Sequence, residues 1–190
     1  MSRQANPGTE EDRALVLEAQ SGSERAFNEL VLKYRKAIYL TAVGLISDRD
    51  EAEDIAQDVF VKAYESLGTF RGDSAVYTWL YRITVNLCLN RLRRRKVRSF
   101  FGLETIAQTM AAPETDEPAE LAELNAKLRK AILELPEKQR IVFILRHFRE
   151  LPHAEIAEIM DRDVGTIKAN YFQAIQKLKK KLGSYVKGDE

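Results

Sequence analysis

Residues 152–182 read PHAEIAEIMDRDVGTIKANYFQAIQKLKKKL. Pro152 suits the start of a helix, where its fixed φ fits and its missing N–H costs no hydrogen bond. Ile156, Ala157 and Met160 then share one helical face. Asp161-Arg162-Asp163 makes a turn, and Asp163 is placed to cap a second, longer helix. The inward stripe of that helix is Val164, Ile167, Tyr171, either Ala174 or Ile175, Leu178 and Leu182. A short helix, a tight turn and a longer basic helix make a helix-turn-helix, whose second helix enters the DNA major groove. The residues left facing outward are Gly165, Lys168, Ala169, Phe172, Gln173 and Gln176. An ordinary helical hairpin with a lysine-rich surface fits the same pattern, so the rest of the chain must decide between them.

Upstream the signals are again helical, and no strand-like alternation persists. A helix over residues 24–46 follows Ser23 as N-cap and carries Phe27, Leu30, Tyr34, Ile38, Ala42 and Leu45 on one stripe. A second, over residues 49–67, has Asp48 and Glu51 at capping-box spacing and buries Ala52, Ile55, Ala56, Val59 and Ala63. After the break Gly68-Thr69-Phe70-Arg71-Gly72-Asp73, a third helix follows Ser74 and turns Val76, Trp79, Leu80, Ile83 and Leu87 inward. These three helices can enclose one core. Residues 99–119 hold Gly102, Pro113 and Pro118 among acids and alanines and read as a linker. Phe100, Phe101, Leu103 and Ile106 are apolar for a linker and fit either docking or a short helix. Periodicity returns at Leu121, Leu124, Leu128, Ile132 and Leu135, and Pro136 opens a helix with Ile141 to Leu145 as its apolar positions.

Composition sets the class. The 190 residues are 45% hydrophobic and 31% charged, the balance of a soluble globular protein of one or two domains. No stretch approaches the ~18 apolar residues of a membrane span. The polar start MSRQANPGTEED does not read as a signal peptide, and the lone Cys88 has no disulfide partner; both point to the cytoplasm. With two histidines and one cysteine, no metal site or cofactor is expected. Net charge is only +1, but its distribution is uneven. Residues 48–58 hold six acids and one base, 82–98 seven bases and no acid, 99–125 six acids and no base, and 168–187 six bases and no acid. Solvated helix faces explain most such runs, yet two basic blocks around an acidic one look like two anion-binding sites and a spacer.

Two further faces need a reason. Asp50, Glu51 and Glu53 sit where a helix N-terminus favours carboxylates, but Asp54, Gln57 and Asp58 lie beyond the reach of the dipole. Arg82, Asn86, Asn90 and Arg93 share one face of the third helix, opposite its core stripe. Asparagine is a poor helix former, so two on one face point to base edges or phosphates. The loop Phe70-Arg71-Gly72-Asp73-Ser74 combines flexible glycine with polar side chains and can line a polar pocket. Trp79 reads as core; Phe70 fits the core or the pocket equally. The run Arg91–Arg98 is the densest part of the first anion-binding block.

Two segments carry a family resemblance. Residues 50–95, DEAEDIAQDVFVKAYESLGTFRGDSAVYTWLYRITVNLCLNRLRRR, resemble the second conserved region of extracytoplasmic-function sigma factors. Residues 135–182, LPEKQRIVFILRHFRELPHAEIAEIMDRDVGTIKANYFQAIQKLKKKL, resemble their fourth. The resemblance implies an all-α chain of two small helical domains joined by a flexible linker. Residues 1–22 would be an N-terminal extension, 23–98 the domain for core polymerase and the −10 element, 99–119 the linker, and 120–186 the helix-turn-helix domain for the −35 element. It implies a core-polymerase surface at Asp54, Gln57 and Asp58 with Tyr64 on its flank. Phe70, Arg71, Asp73, Ser74, Arg82, Asn86, Asn90 and Arg93 would take the melted −10 nontemplate strand. Gly165, Thr166, Lys168, Ala169, Phe172 and Gln173 would take the duplex −35 element. The implied partners are core RNA polymerase, promoter DNA and an inhibitory anti-sigma factor, which can hold this otherwise cytoplasmic chain at the inner membrane; membrane insertion of the chain itself is not implied.

The sequence departs from the family pattern in places. Lys168 and Ala169 stand where arginine and serine are frequent, and Gln173 where some members have arginine, so an unusual −35 element is expected. Asp161 stands at a turn position that is commonly glycine, and Pro152 where serine is frequent. Three other classes compete: a polymerase-independent regulator, a Mg²⁺-dependent hydrolase using Glu51, Asp54 and Asp58, and an adaptor that does not bind DNA. The Gln57 and Asn86/Asn90 faces disfavour the first. The lack of a second carboxylate helix disfavours the second, and the basic blocks disfavour the third.

Overall fold

A computed structural model describes residues 10–100 and 119–186, so most of the expected linker, with Phe101, Leu103 and Ile106, lies outside the described residues. The described elements are all helical: α1 (Glu10–Gln20), α2 (Glu24–Ile46), α3 (Arg49–Ser66), a 3-10 turn (Leu67–Thr69), α4 (Val76–Phe100), α5 (Ala119–Leu133), α6 (Glu137–His147), α7 (His153–Met160) and α8 (Val164–Val186).

Side-chain caps open three of the helices, α2, α3 and α8. Ser23 accepts from the Ala26 N–H at 3.3 Å, and α2 ends where Ser47 turns left-handed at φ 67°. Asp48 accepts from the Glu51 N–H at 3.0 Å and opens α3 one residue later. The Glu51 carboxylate, at capping-box spacing, pairs with the Arg95 guanidinium at 3.1 Å. Asp163 accepts from the Thr166 N–H at 2.7 Å and starts α8.

The first domain packs α2, α3 and α4 around Leu30, Tyr34, Ile38, Leu45, Ile55 and Val59, all buried. α1 adds a fourth helix that the sequence did not announce. Its buried face carries Val16 and Ala19 but also Asp12, a charge at the head of a short apolar stripe. Tyr34 donates to Asp12 at 2.6 Å and Lys33 reaches its other oxygen at 2.6 Å, so the buried carboxylate is paired and hydrogen-bonded. Burial, and then the Asp12 carboxylate, push the Tyr34 phenol far above its ordinary pKa.

The second domain packs α6, α7 and α8 with Leu145, Ile156, Ile167 and Ala174 buried, and α5 lies against α8. Three expectations are corrected. Val164 is exposed, because the Asp163 cap leaves the first turn of α8 at the surface. Leu121 and Leu124 are also exposed, because the early turns of α5 extend away from the core that buries Ile132 and Leu135.

The two domains pack on each other, α4 against α7 and α2 against α6. Arg82 donates to the Glu158 carbonyl at 3.1 Å, and Lys96 pairs with Glu137 at 2.6 Å. Tyr81 meets Arg149, and Cys88 lies in the field of Arg140. Helix α4 is therefore covered from two sides. It buries Tyr77, Tyr81, Val85 and Cys88 in addition to Val76 and Leu80, while Trp79, Ile83 and Leu87 are half-buried.

Candidate functional site

The α4 face is built as its spacing requires: Arg82, Asn86, Asn90 and Arg93 are all exposed. Arg82 is partly engaged by the Glu158 carbonyl. The basic run beyond is not uniformly available. Arg95 ties α4 to the N-terminus of α3 through Asp48 at 3.4 Å and Glu51, and Lys96 is paired with Glu137. In this closed arrangement the charges at these two positions answer carboxylates of the chain itself.

Before α4, Phe70 stacks on Trp79 with ring centroids 4.6 Å apart and planes 30° from parallel. Both rings are half-buried, so Trp79 is core on one side only. Arg71 and Asp73 are exposed and Ser74 is half-buried. Gly72 has φ 75°, a conformation that side chains resist, and it turns the loop toward α4. The loop presents a flat aromatic pair beside polar side chains, a surface suited to an unstacked base.

On α8, Gly165, Lys168, Ala169, Phe172 and Gln173 are exposed in one patch at the N-terminal half of the helix. Thr166 is half-buried, and its hydroxyl donates to Asp163 at 2.5 Å. The Thr166 hydroxyl and N–H hold the Asp163 carboxyl below the usual range. Gly165 also has a local reason: a Cβ there would lie 3.0 Å from the capping oxygen of Asp163. The Gln173 amide accepts from Gln139 of α6 at 2.7 Å, which restrains how it faces outward. His153 stays below its ordinary pKa through burial and then the nearby charges of Arg146 and Lys168.

A third surface lies between α2 and α3. Asp54, Gln57, Asp58 and Tyr64 are exposed on α3, and Gln57 and Tyr64 line an open groove with Phe27, Val31, Phe60 and Val61. Tyr64 packs edge-on to Phe27 at 5.1 Å. Arg35 and Lys36 stand on one rim, Glu53 and Glu65 on the other. The sequence reading found the acids but missed the apolar floor. Its signal was Phe60 and Val61 between Gln57 and Tyr64, at three- and four-residue spacing outside the core stripe. Among the described residues, no group of three or more histidines, cysteines or carboxylates is placed to hold a metal ion.

Comparison with known proteins fits this geometry. The sigma-70 region 2 family matches residues 30–98, and the sigma-70 region 4 family matches residues 125–178. The RNA polymerase sigma-H factor of Pseudomonas aeruginosa is 39% identical, over 91% of this chain and 94% of its own length. The ECF RNA polymerase sigma-E factor of Escherichia coli K12 is 37% identical, over 90% of this chain and 94% of its own. The chain is an extracytoplasmic-function sigma factor of the sigma-70 family. It is thus a transcription-initiation factor that binds core RNA polymerase and promoter DNA. The sigma factor RpoE of Bartonella quintana, solved in complex with the anti-sigma factor NepR, is 27% identical. It superposes with a TM-score of 0.69 over 86% of this chain and 98% of its own.

In this sigma factor the α4 face, its preceding loop and the α2–α3 groove apart from Phe27 belong to the region 2 match, and the α8 patch to the region 4 match. Asp161, which ends α7, is left-handed at φ 51° and ψ 58°. Aspartate tolerates that conformation better than most residues. Among the described residues no helix is long and apolar enough to cross a membrane.

Proposed function

We propose that this sigma factor divides promoter recognition between two outward faces and switches between a closed and an open arrangement. Asn86 and Asn90, flanked by Arg82 and Arg93, bind the melted −10 nontemplate strand, with Phe70, Arg71, Asp73 and Ser74 around a captured base. Lys168 and Gln173, with Gly165, Thr166, Ala169 and Phe172, read the −35 duplex. Asp54, Gln57, Asp58 and Tyr64 dock core polymerase, the acids steering a basic partner and the groove floor taking apolar side chains. The chain has no catalytic role of its own.

The observation that carries this reading is the position of both polar faces on a body that also packs its two domains together. The −10 and −35 elements lie about two and a half helical turns apart, or roughly 85 Å. A compact chain of this length spans only about 40 Å. The closed form therefore cannot occupy both elements, and the domains must separate on polymerase. An anti-sigma factor that holds the closed form would block initiation. The support is the likeness to the Bartonella protein, whose known structure is that of a sigma–anti-sigma complex.

Run-off transcription with core polymerase over a promoter library tests the proposal. The expected result is discrete transcripts from a small promoter set, lost on substitution of either face. Transcription that ignores promoter sequence would overturn it.

A further inference from the structure

Gln20 is the last residue of α1, outside every surface described above. Its amide nitrogen donates to the Leu67 carbonyl at 2.8 Å and to the Phe70 carbonyl at 2.8 Å. These contacts cross 47 and 50 residues of sequence, and they grip both ends of the turn that leads into the base-capturing loop. The Phe70 N–H already closes that turn onto the Leu67 carbonyl at 3.1 Å. Leu67 is buried, and Phe70 stacks on Trp79, so the turn has a fixed floor and a fixed exit.

A primary amide suits this position because its NH₂ carries two hydrogens, one for each carbonyl. A carboxylate of the same shape would set its oxygens against two carbonyl oxygens and has no hydrogen to offer. The staple is only as firm as α1, and α1 is anchored by the buried Asp12 with Tyr34 and Lys33. Past Gln20 the chain turns back through Gly22, at φ 97°, into the Ser23 cap of α2, which fixes the other end of the amide's support.

We infer that Gln20 is a positioning residue for −10 recognition: its amide holds the Leu67–Phe70 turn so that the following loop receives the unpaired base. The N-terminal helix thereby belongs to the promoter-opening machinery without touching DNA. This rests on the proposed role of the Phe70–Ser74 loop.

The test uses full-length protein as holoenzyme. The probe is a labelled nontemplate-strand −10 oligonucleotide from a promoter that the wild type transcribes. Trp79, the only tryptophan in the chain, reports the loop through its stacking on Phe70 when emission is read on the free full-length protein, before core polymerase is added. Gln20→Glu should shift Trp79 emission and weaken oligonucleotide binding about tenfold, the effect of losing two modest hydrogen bonds. Affinity for core polymerase and helix content should not change. Gln20→Lys, whose ammonium again supplies two donors, should restore most of both signals. Wild-type binding by Gln20→Glu, while Asp73→Ala and Arg71→Ala are impaired, would overturn the assignment. So would a defect that Gln20→Lys leaves unrepaired. If Asp73→Ala and Arg71→Ala also bind like the wild type, the loop reading fails and the inference fails with it.

Discussion

Gly44 of α2 faces Ile144 of α6 across the two domains so closely that a Cβ at Gly44 would lie 3.0 Å from the Ile144 Cδ1. Ile144 is itself buried and has little room to yield. Glycine inside a helix costs about 0.5–1 kcal/mol relative to alanine, and here that cost allows the domains to close.

Gly44→Val should therefore wedge the domains apart. Overpacking of about 1–3 kcal/mol would move the closed–open balance roughly ten- to a hundredfold. Small-angle scattering should show a larger radius of gyration, with unchanged far-UV circular dichroism. An unchanged radius would mean that the contact does not hold the closed form.

Cys88 provides a second readout of the same motion. Burial pushes its thiol up to about 12, against the pull of Arg140 from the other domain. At pH 8 the thiol is protonated and enclosed, so alkylation by iodoacetamide should be slow in the wild type and faster in Gly44→Val. The folded thiol titrates above its unfolded value. Its contribution to stability is therefore complete below about pH 8.5 and declines as pH rises toward the folded value, because the unfolded chain loses its proton first. Thermal melts between pH 8 and 11 would show that decline, and Cys88→Ala should flatten it.

Asp12→Ala should loosen α1. It removes the acceptor of the Tyr34 hydroxyl and the partner of Lys33, at a cost of about 1–3 kcal/mol. Amide hydrogen exchange should rise first in α1 and in the Leu67–Phe70 turn that Gln20 holds. Exchange that rises equally throughout the domain would contradict local anchoring.

Asp54→Arg with Asp58→Arg should abolish binding to core polymerase and leave helix content intact, since both side chains are exposed. Val61→Asp, on the groove floor, should do the same by desolvation cost rather than charge steering, so salt should modulate the first effect more than the second. Affinity measured at two ionic strengths separates them.

Asn86→Ala with Asn90→Ala should impair melting, and Lys168→Ala with Gln173→Ala should impair recognition of the upstream duplex. Each lost base contact should cost roughly 1–3 kcal/mol. A template with its −10 region already mismatched should largely rescue the asparagine pair and not the other, as read by permanganate footprinting. An equal response of both double variants to pre-melting would remove the division of roles.

The amino-acid sequence by itself determined the helical class, the order of α2 to α8 and the outward faces of α4 and α8. Those features depend on short-range rules. Ser23, Asp48 and Asp163 cap the helix that begins beside them, and stripes such as Leu30–Tyr34–Ile38 recur within one or two turns. Tertiary structure alone decided what depends on a distant partner. Asp12 puts a charge on the buried face of α1 and makes sense only beside Tyr34 and Lys33. Arg95 belongs to a basic run in the sequence, yet it pairs with Asp48 and Glu51 from 44 or more residues away. Tyr81 and Cys88 extend the buried surface of α4 because a second domain lies over them, and a single-helix period carries no record of that. Val164 and Leu121 have core chemistry but no facing element, so burial followed the packing partners rather than the residue type.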